Sequence, residues 1–477
     1  MPSGEIRSGK LAGRSLRSAI WILALPILIQ QTMAACVGLV DTIFAGHLPA
    51  AMVVPALDAI GIGAYVTWFI GIAMTGLGAG GQAIIARAMG AGNHAESHSA
   101  LGHAVVLSLV WGALVGVVLW VGAGPLADLC RLTGEASDML VIYVRIIAYA
   151  MPPAALMMVG AMCLYGAGDT VMPSVIAVGV NIVNIAVSWV LSGVDLTVGS
   201  WTLVNPFSFD LHLAGIAWGT SCSFVAGALA TLWVLKRGVK DLRLERRDLK
   251  LQRAMTMRIA RVGLPGFADS IMMWVANLLV LVVIGMVATA EAVGGVPKEG
   301  LQGAHLIAIR WESFSFLPGF AIGTAAGALA GQYLGAGNPA MARRSILACT
   351  GIGVVLMGAL GLVFIFCGTF LTRIISDQPV HLQEAPALLA IGGVVQIFFA
   401  ITMVLRQGLR GVGDTRWTFL ITTFASWGLR LPAAWLFGVV MGMGLRGIWL
   451  GLCGEIVVRS VLFAWRFQHG GWMRIRV

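Results

Sequence analysis

The sequence predicts an all-α, multi-pass membrane protein with twelve transmembrane helices in two pseudo-twofold-related six-helix bundles. Three observations carry this expectation. The 477 residues are 58% hydrophobic and 11% charged, with mean hydropathy +0.90, whereas a soluble domain carries roughly 25% charge. Apolar runs of the length that crosses a bilayer, about 20 residues, recur twelve times. The chain also repeats itself. Gly90-Ala-Gly-Asn93 returns as Gly335-Ala-Gly-Asn338, and Gly166-Ala-Gly-Asp-Thr170 returns as Gly411-Val-Gly-Asp-Thr415, each 245 positions on. The same offset carries Gly193 onto Gly438, so turns and helix ends are expected in duplicate. Internal repeats of this kind are how many carriers build a midplane site and alternate its access.

In order, the runs are 18–45, 58–88, 99–124, 138–163, 171–192, 213–235, 259–289, 303–334, 345–371, 385–409, 417–439 and 446–466. They give a first bundle over 1–235, a basic cytoplasmic linker over 236–258 and a second bundle over 259–477. The first run follows basic residues, as a signal peptide would. It is too long for one and lacks a small-residue cleavage site, so it reads as a retained helix.

Lys and Arg in short loops set the orientation. Arg7, Lys10, Arg14 and Arg17 precede the first run, and the linker carries Lys236, Arg237, Lys240, Arg243, Arg246, Arg247, Lys250 and Arg253. Arg343, Arg344, Arg416, Arg474 and Arg476 fall on the same side, against chiefly Arg131, Lys298, Arg373 and Arg446 on the other. Both termini are therefore expected in the cytoplasm. The net charge of +10 suits anionic lipid and calls for no nucleic-acid partner.

Several classes are excluded by missing motifs. There is no Gly-x-x-x-x-Gly-Lys-Ser/Thr for an ATP-driven motor, no His-Glu-x-x-His and no Gly-x-Ser-x-Gly, and no soluble domain large enough for enzymatic chemistry. The seven cysteines are scattered and mostly within apolar runs, against a disulfide framework or a zinc site. His94, Glu96, His98 and His103 follow a Gly/Asn turn in which Asn93 is a natural N-cap. They read as the polar start of a cytoplasmic helix, not as a metal site. No cofactor is expected beyond a coupling ion.

Charges inside the apolar runs mark functional candidates, because an ionisable group at mid-helix costs at least ~2.5 kcal/mol. Asp41 lies late in the first run with no basic residue near it in sequence. It is either protonated or ionised around a bound cation, unless it is a loop carboxylate just outside the membrane. Asn181, Asn184 and Ser188 in the fifth run are spaced to share one helix face. Neutral oxygens of this kind suit a hard cation beside one carboxylate and equally suit interhelical hydrogen bonds. The sixth run adds Thr220, Ser221, Cys222 and Ser223, small residues that also allow close packing. The second half carries Arg310, Glu312, Arg430, Glu455 and Arg459, with Asp269 one turn past Pro265. Mixed signs in about equal number suit neutralised internal pairs, and a direct role in substrate or proton handling stays open beside that.

These residues resemble the MATE family, the multidrug and toxic compound extrusion carriers. The resemblance rests on Leu25-Pro26, Gln30-Gln31 and Gly38-Leu-Val-Asp41-Thr-Ile-Phe-Ala-Gly46 in the first run. In the second half it rests on Arg310-Trp-Glu312, Pro318-Gly319 and Gly331-Gln332, on Leu409-Arg410-Gly-Val-Gly-Asp414, on Arg430-Leu-Pro432 and on Gly444-Leu-Arg-Gly447-Ile-Trp449. It covers nearly the whole chain.

The resemblance implies a V-shaped pair of six-helix lobes in a bacterial inner membrane. They would expel organic, often cationic, compounds in exchange for H⁺ or Na⁺ by alternating access. It also implies that Asp41 is the coupling carboxylate. Asn184 matches a family cation ligand, Ser188 falls where a second carboxylate stands in some members, and Ser223 falls roughly at a ligand threonine. A seventh-helix glutamate of another branch is Met273 here. The expected partners are small organic substrates and membrane lipids, and a monomer is expected. The rival within the same superfamily is a flippase for lipids or lipid-linked sugars, whose diphosphate would need a strongly basic cleft; Arg310, Arg430 and Arg459 keep that reading open.

Overall fold

The structure is a computed structural model that describes residues 15–129, 135–198, 201–207, 209–239, 241–291, 301–375 and 379–475. Arg7, Lys10, Arg14, Arg131, Lys240, Lys298 and Arg476 lie outside the described residues. In hydrocarbon every backbone polar group must be satisfied within the protein, which a helix does inside one segment, and the apolar runs are accordingly helical. The helices are α1 (Leu16–Gly46), α2 (Ala50–Ala91), α3 (His94–Leu129), α4 (Glu135–Tyr149), α5 (Met151–Gly166), α6 (Val171–Ser192), α7 (His212–Arg237), α8 (Arg253–Ala290), α9 (Leu301–Gly335), α10 (Pro339–Ile375), α11 (Pro379–Gly411), α12 (Thr415–Thr423), α13 (Leu431–Trp435) and α14 (Gly444–His469). A two-stranded antiparallel hairpin, Leu196–Val198 with Trp201–Leu203, links α6 to α7. A short 3₁₀ turn, Arg246–Leu249, lies in the linker.

Ten of the described helices are long and apolar enough to cross a membrane, and the pair α4–α5 makes an eleventh span bent by 57°. The bend falls at Ala150, just before Pro152 and Pro153, which lack the N–H groups that the carbonyls four residues back would accept. Residues 415–440 form one further continuous helical stretch, at the place of the expected run 417–439. There α12 and α13 are joined by π-helical turns at Phe424–Arg430, with more at Leu436–Val440. Such widened turns are rare and are frequently found at functional sites.

The repeat is visible in the backbone. Gly92 and Gly337 take left-handed φ of 73° and 76°, and Gly168 and Gly413 take 75° and 94°, conformations that favour glycine. Asn93 Oδ1 accepts from the Glu96 N–H at 3.2 Å, and Asn338 Oδ1 from the Met341 N–H at 3.0 Å. Both asparagines cap the helix that follows. The third expected pair differs. Gly193 ends α6 with φ 73°, but Gly438 lies inside a π-helical turn and the left-handed glycine falls later, at Gly442 (φ 66°). The wider turns delay the helix end.

The two copies also meet. A Cβ on Gly90 of α2 would stand 2.1 Å from the Gln332 carbonyl oxygen, and one on Gly335 of α9 would stand 2.1 Å from that of Arg87. Arg87 and Gln332 are themselves 245 apart, so the α2–α9 crossing is reciprocal, the mark of a local two-fold.

By contact the described chain forms two compact units. One comprises residues 16–28, Ala86–Gly92 and the chain from Arg261 onward; the other comprises Ile29–Ile85 and Asn93–Ala260. The limits fall inside α1, α2 and α8. In the first of these units, Ile20 and Leu23 of α1 pack with Leu329, Ile346, Leu409, Phe463 and Trp472 in one fully buried core. A second core there is centred on Ile284, Leu388, Ile448 and Trp449.

Candidate functional site

Asp41 is carried into the interior of its unit by α1 and is only 3% exposed. Its Oδ2 accepts from the Thr220 hydroxyl of α7 at 2.8 Å, and its Oδ1 from the Asn184 amide of α6 at 3.2 Å. The Tyr143 phenol of α4 hydrogen-bonds to it as well. Gly63 of α2 leaves the room that the Tyr143 ring fills, since a Cβ there would lie 2.7 Å from the ring. The Asn184 amide also donates to Thr220 Oγ1 at 3.1 Å. Three helices therefore converge on one carboxylate, and among the described residues no cationic side chain pairs with it. Asn184 Oδ1 is buried with no hydrogen-bond partner, leaving an uncompensated acceptor beside Asp41.

The other expected members sit differently. Asn181 donates to the Met33 carbonyl of α1 at 3.0 Å and to the Ala177 carbonyl of its own helix, tying α6 to α1 about two turns of α1 before the carboxylate. Ser188 stands 3.5 Å from the Ile216 carbonyl, at a close α6–α7 crossing. The Ser223 hydroxyl bonds back to the Thr220 carbonyl at 2.7 Å. Thr220, not Ser223, is the hydroxyl that reaches Asp41. Sequence reasoning placed Thr220 among small packing residues and had no signal for Tyr143, which sits in a run that bends.

The other unit concentrates its charge. Glu455 of α14, on a side chain with no exposed surface, lies 3.0 Å from Arg430 and 2.9 Å from Arg459. Arg430 ends the π-helical turn after α12 and also donates to Asn277 Oδ1 at 2.5 Å. The Met273 thioether stands 3.7 Å from Arg430 and 4.0 Å from Arg459. Met273 thus presents a soft sulfur to two guanidinium groups. Glu312 lies in the field of the same two arginines. Arg310 is exposed and takes no part in the cluster. Asp269 pairs with Arg406 and lies 3.5 Å from Arg410, partners 137 and 141 residues away that spacing along the chain does not signal. His305 accepts from the Trp449 indole at 3.1 Å.

Two of the histidines that follow the Gly92–Asn93 turn bond to the linker backbone. The His98 ring bonds the Asp241 carbonyl at 2.8 Å, and His103 Nε2 accepts the Gln252 N–H at 2.7 Å. Together with the Glu96–Arg258 pair at 2.7 Å, they fasten the linker to α3.

A many-helix membrane protein with a repeated scaffold, one carboxylate among neutral groups and a second cluster of paired charges has the parts of a transporter. Its family is explicit: the MatE model matches residues 26–190 and 265–436. The chain belongs to that family, the multidrug and toxic compound extrusion transporters, and is a multi-pass membrane protein. It is 27% identical to the probable multidrug resistance protein NorM of Thermotoga maritima, over 96% of this chain and 93% of that one. It is also 27% identical to the multidrug resistance protein PmpM of Pseudomonas aeruginosa, over 95% and 91%. A solved outward-facing multidrug resistance MATE transporter superposes with TM-score 0.85 at 21% identity, covering 97% of this chain and 98% of that one, which establishes the shared twelve-helix fold.

Proposed function

We propose that the protein is a cation-coupled efflux carrier that exports organic, often cationic, compounds in exchange for H⁺ or Na⁺. Asp41 would be the group that carries the coupling ion. The observation behind this is the buried carboxylate whose partners are all neutral, beside an amide oxygen with nothing to accept. An uncompensated charge in the membrane interior is costly, so Asp41 rests either protonated or with a cation. A proton converts the carboxyl into a donor that Asn184 Oδ1 can accept. A Na⁺ would take Asp41, Asn184 Oδ1 and Thr220 Oγ1, the oxygen set a hard cation prefers. Either ion changes the hydrogen bonds joining α1 to α6 and α7, which couples loading to helix position.

The multidrug names of the relatives support drug efflux over lipid flipping. The arginine chemistry does so too: Arg430 and Arg459 are engaged by Glu455 and are not free for a diphosphate. The test is drug uptake into proteoliposomes under imposed H⁺ or Na⁺ gradients. Asp41→Asn is expected to abolish the gradient-driven component. Uptake at the parent rate under both gradients would refute the coupling role, and transport of a lipid-linked sugar but not of drugs would favour the flippase.

A further inference from the structure

The bend between α4 and α5 leaves a groove of about 290 Å³ at the surface of its unit, between Tyr149 and α7. Its apolar length is supplied by Val225, Ala226 and Leu229 of α7. Ser221 closes its back by donating to the Ile146 carbonyl at 3.2 Å. Tyr149 and Trp218 at its mouth are 66% and 41% exposed. One turn from Tyr149, the exposed Arg145 lays its guanidinium 4.8 Å from the centre of the Trp120 ring, and the Trp120 indole N–H donates to the Tyr149 hydroxyl at 3.2 Å. Among the described residues no carboxylate pairs with Arg145.

Two positions fix the depth. Trp120 lies nine residues before the end of α3 at Leu129, and Trp218 six residues after the start of α7 at His212. These are the ends away from the linker, which is fastened to the start of α3. At about 1.5 Å per residue, both indoles fall within roughly 15 Å of the helix ends, where aromatic belts meet lipid headgroups. An exposed arginine at that level can extend its guanidinium to the headgroup phosphates.

We infer that this groove is a binding site for an anionic phospholipid, with the headgroup phosphate on Arg145 and an acyl chain lying along Val225, Ala226 and Leu229. The charge selects the occupant. A cationic amphiphile would meet Arg145 with like sign, and a zwitterionic phospholipid would bring its own ammonium beside the phosphate held by Arg145, which lies on the Trp120 ring. The site is independent of the Asp41 cluster, and its test does not involve transport.

The full-length protein, stripped of lipid in mild detergent, is titrated with phosphatidylglycerol or with phosphatidylcholine of the same acyl chains, and bound lipid is counted by native mass spectrometry. The parent is expected to prefer phosphatidylglycerol by about fivefold, the effect of one basic residue at an anionic surface. Arg145→Gln is expected to erase the preference and Arg145→Lys to keep most of it. Ala226→Trp, which fills the groove, is expected to lower retention of both lipids. Arg373→Gln, at an exposed arginine elsewhere, is the control and is expected to change nothing. Equal binding of the two lipids by the parent, a preference that survives Arg145→Gln, or an equal loss with Arg373→Gln would overturn the proposal.

Discussion

At the scale of single residues, the two units treat buried charge in opposite ways. Asp41 is solvated by an amide, a hydroxyl and a phenol, all of which tolerate gain or loss of a positive ion. Glu455 is locked between two guanidinium groups, and a tightly paired buried carboxylate is a poor ion carrier because its counter-charges are already in place. Removing one member of such a set leaves the others uncompensated, a loss of about 3–5 kcal/mol. Glu455→Gln is therefore expected to lower the melting temperature in detergent strongly while Asp41→Asn changes it little. If Glu455→Gln melts with the parent, Arg430 and Arg459 do not depend on Glu455.

At the scale of helices, the Asp41 cluster depends on how closely α6 and α7 approach. Gly219 sets that distance: a Cβ there would lie 1.9 Å from the Ser188 hydroxyl and 2.7 Å from its backbone nitrogen. Gly219→Ala is expected to force the helices apart, at about 1–3 kcal/mol as for other overpacked sites. It should also weaken gradient-driven transport by drawing Thr220 off Asp41. Gly122→Ala on α3, where a Cβ meets nothing within 4 Å, should leave melting and transport unchanged. Equal effects of the two variants would refute the close-packing argument. The widened turns of 415–440 act at the same scale. They rotate the helix between Thr415 and Leu431, so Arg430 meets Glu455 and Asn277 where a regular helix would present a different face.

At the scale of the molecule, the duplicated scaffold holds itself at the α2–α9 crossing. Gly90→Ala and Gly335→Ala each drive a methyl group onto a backbone carbonyl of the other copy, where no side chain can yield. Reciprocity predicts that the two variants lose similar stability, about 1–3 kcal/mol, read as matched drops in melting temperature. A large loss from one and none from the other would show that the crossing is not a local two-fold. Arg87, one helical turn from Gly90, adds a polar tie, donating to the Val412 carbonyl at 2.8 Å and to that of Ile475.

The sequence alone determined the solvent, the number of spans, the repeat, its capped turns and the singular position of Asp41. Each of these follows from local chemistry: apolar length, glycine at left-handed positions, asparagine before a helix, and a charge where none is cheap. Only the tertiary structure decided which groups surround that charge. Helical spacing fixes the direction of a side chain around its own axis, not its depth against a neighbouring helix. The resemblance points to Ser223, whereas the approach of α7 sets the Thr220 hydroxyl on Asp41 and returns that of Ser223 to its own backbone. The same limit hid Tyr143, Asn277 and the Arg406–Asp269–Arg410 set, each of which gains its role from a helix distant in sequence. It also hid the π-helical turns that moved a duplicated helix end from Gly438 to Gly442.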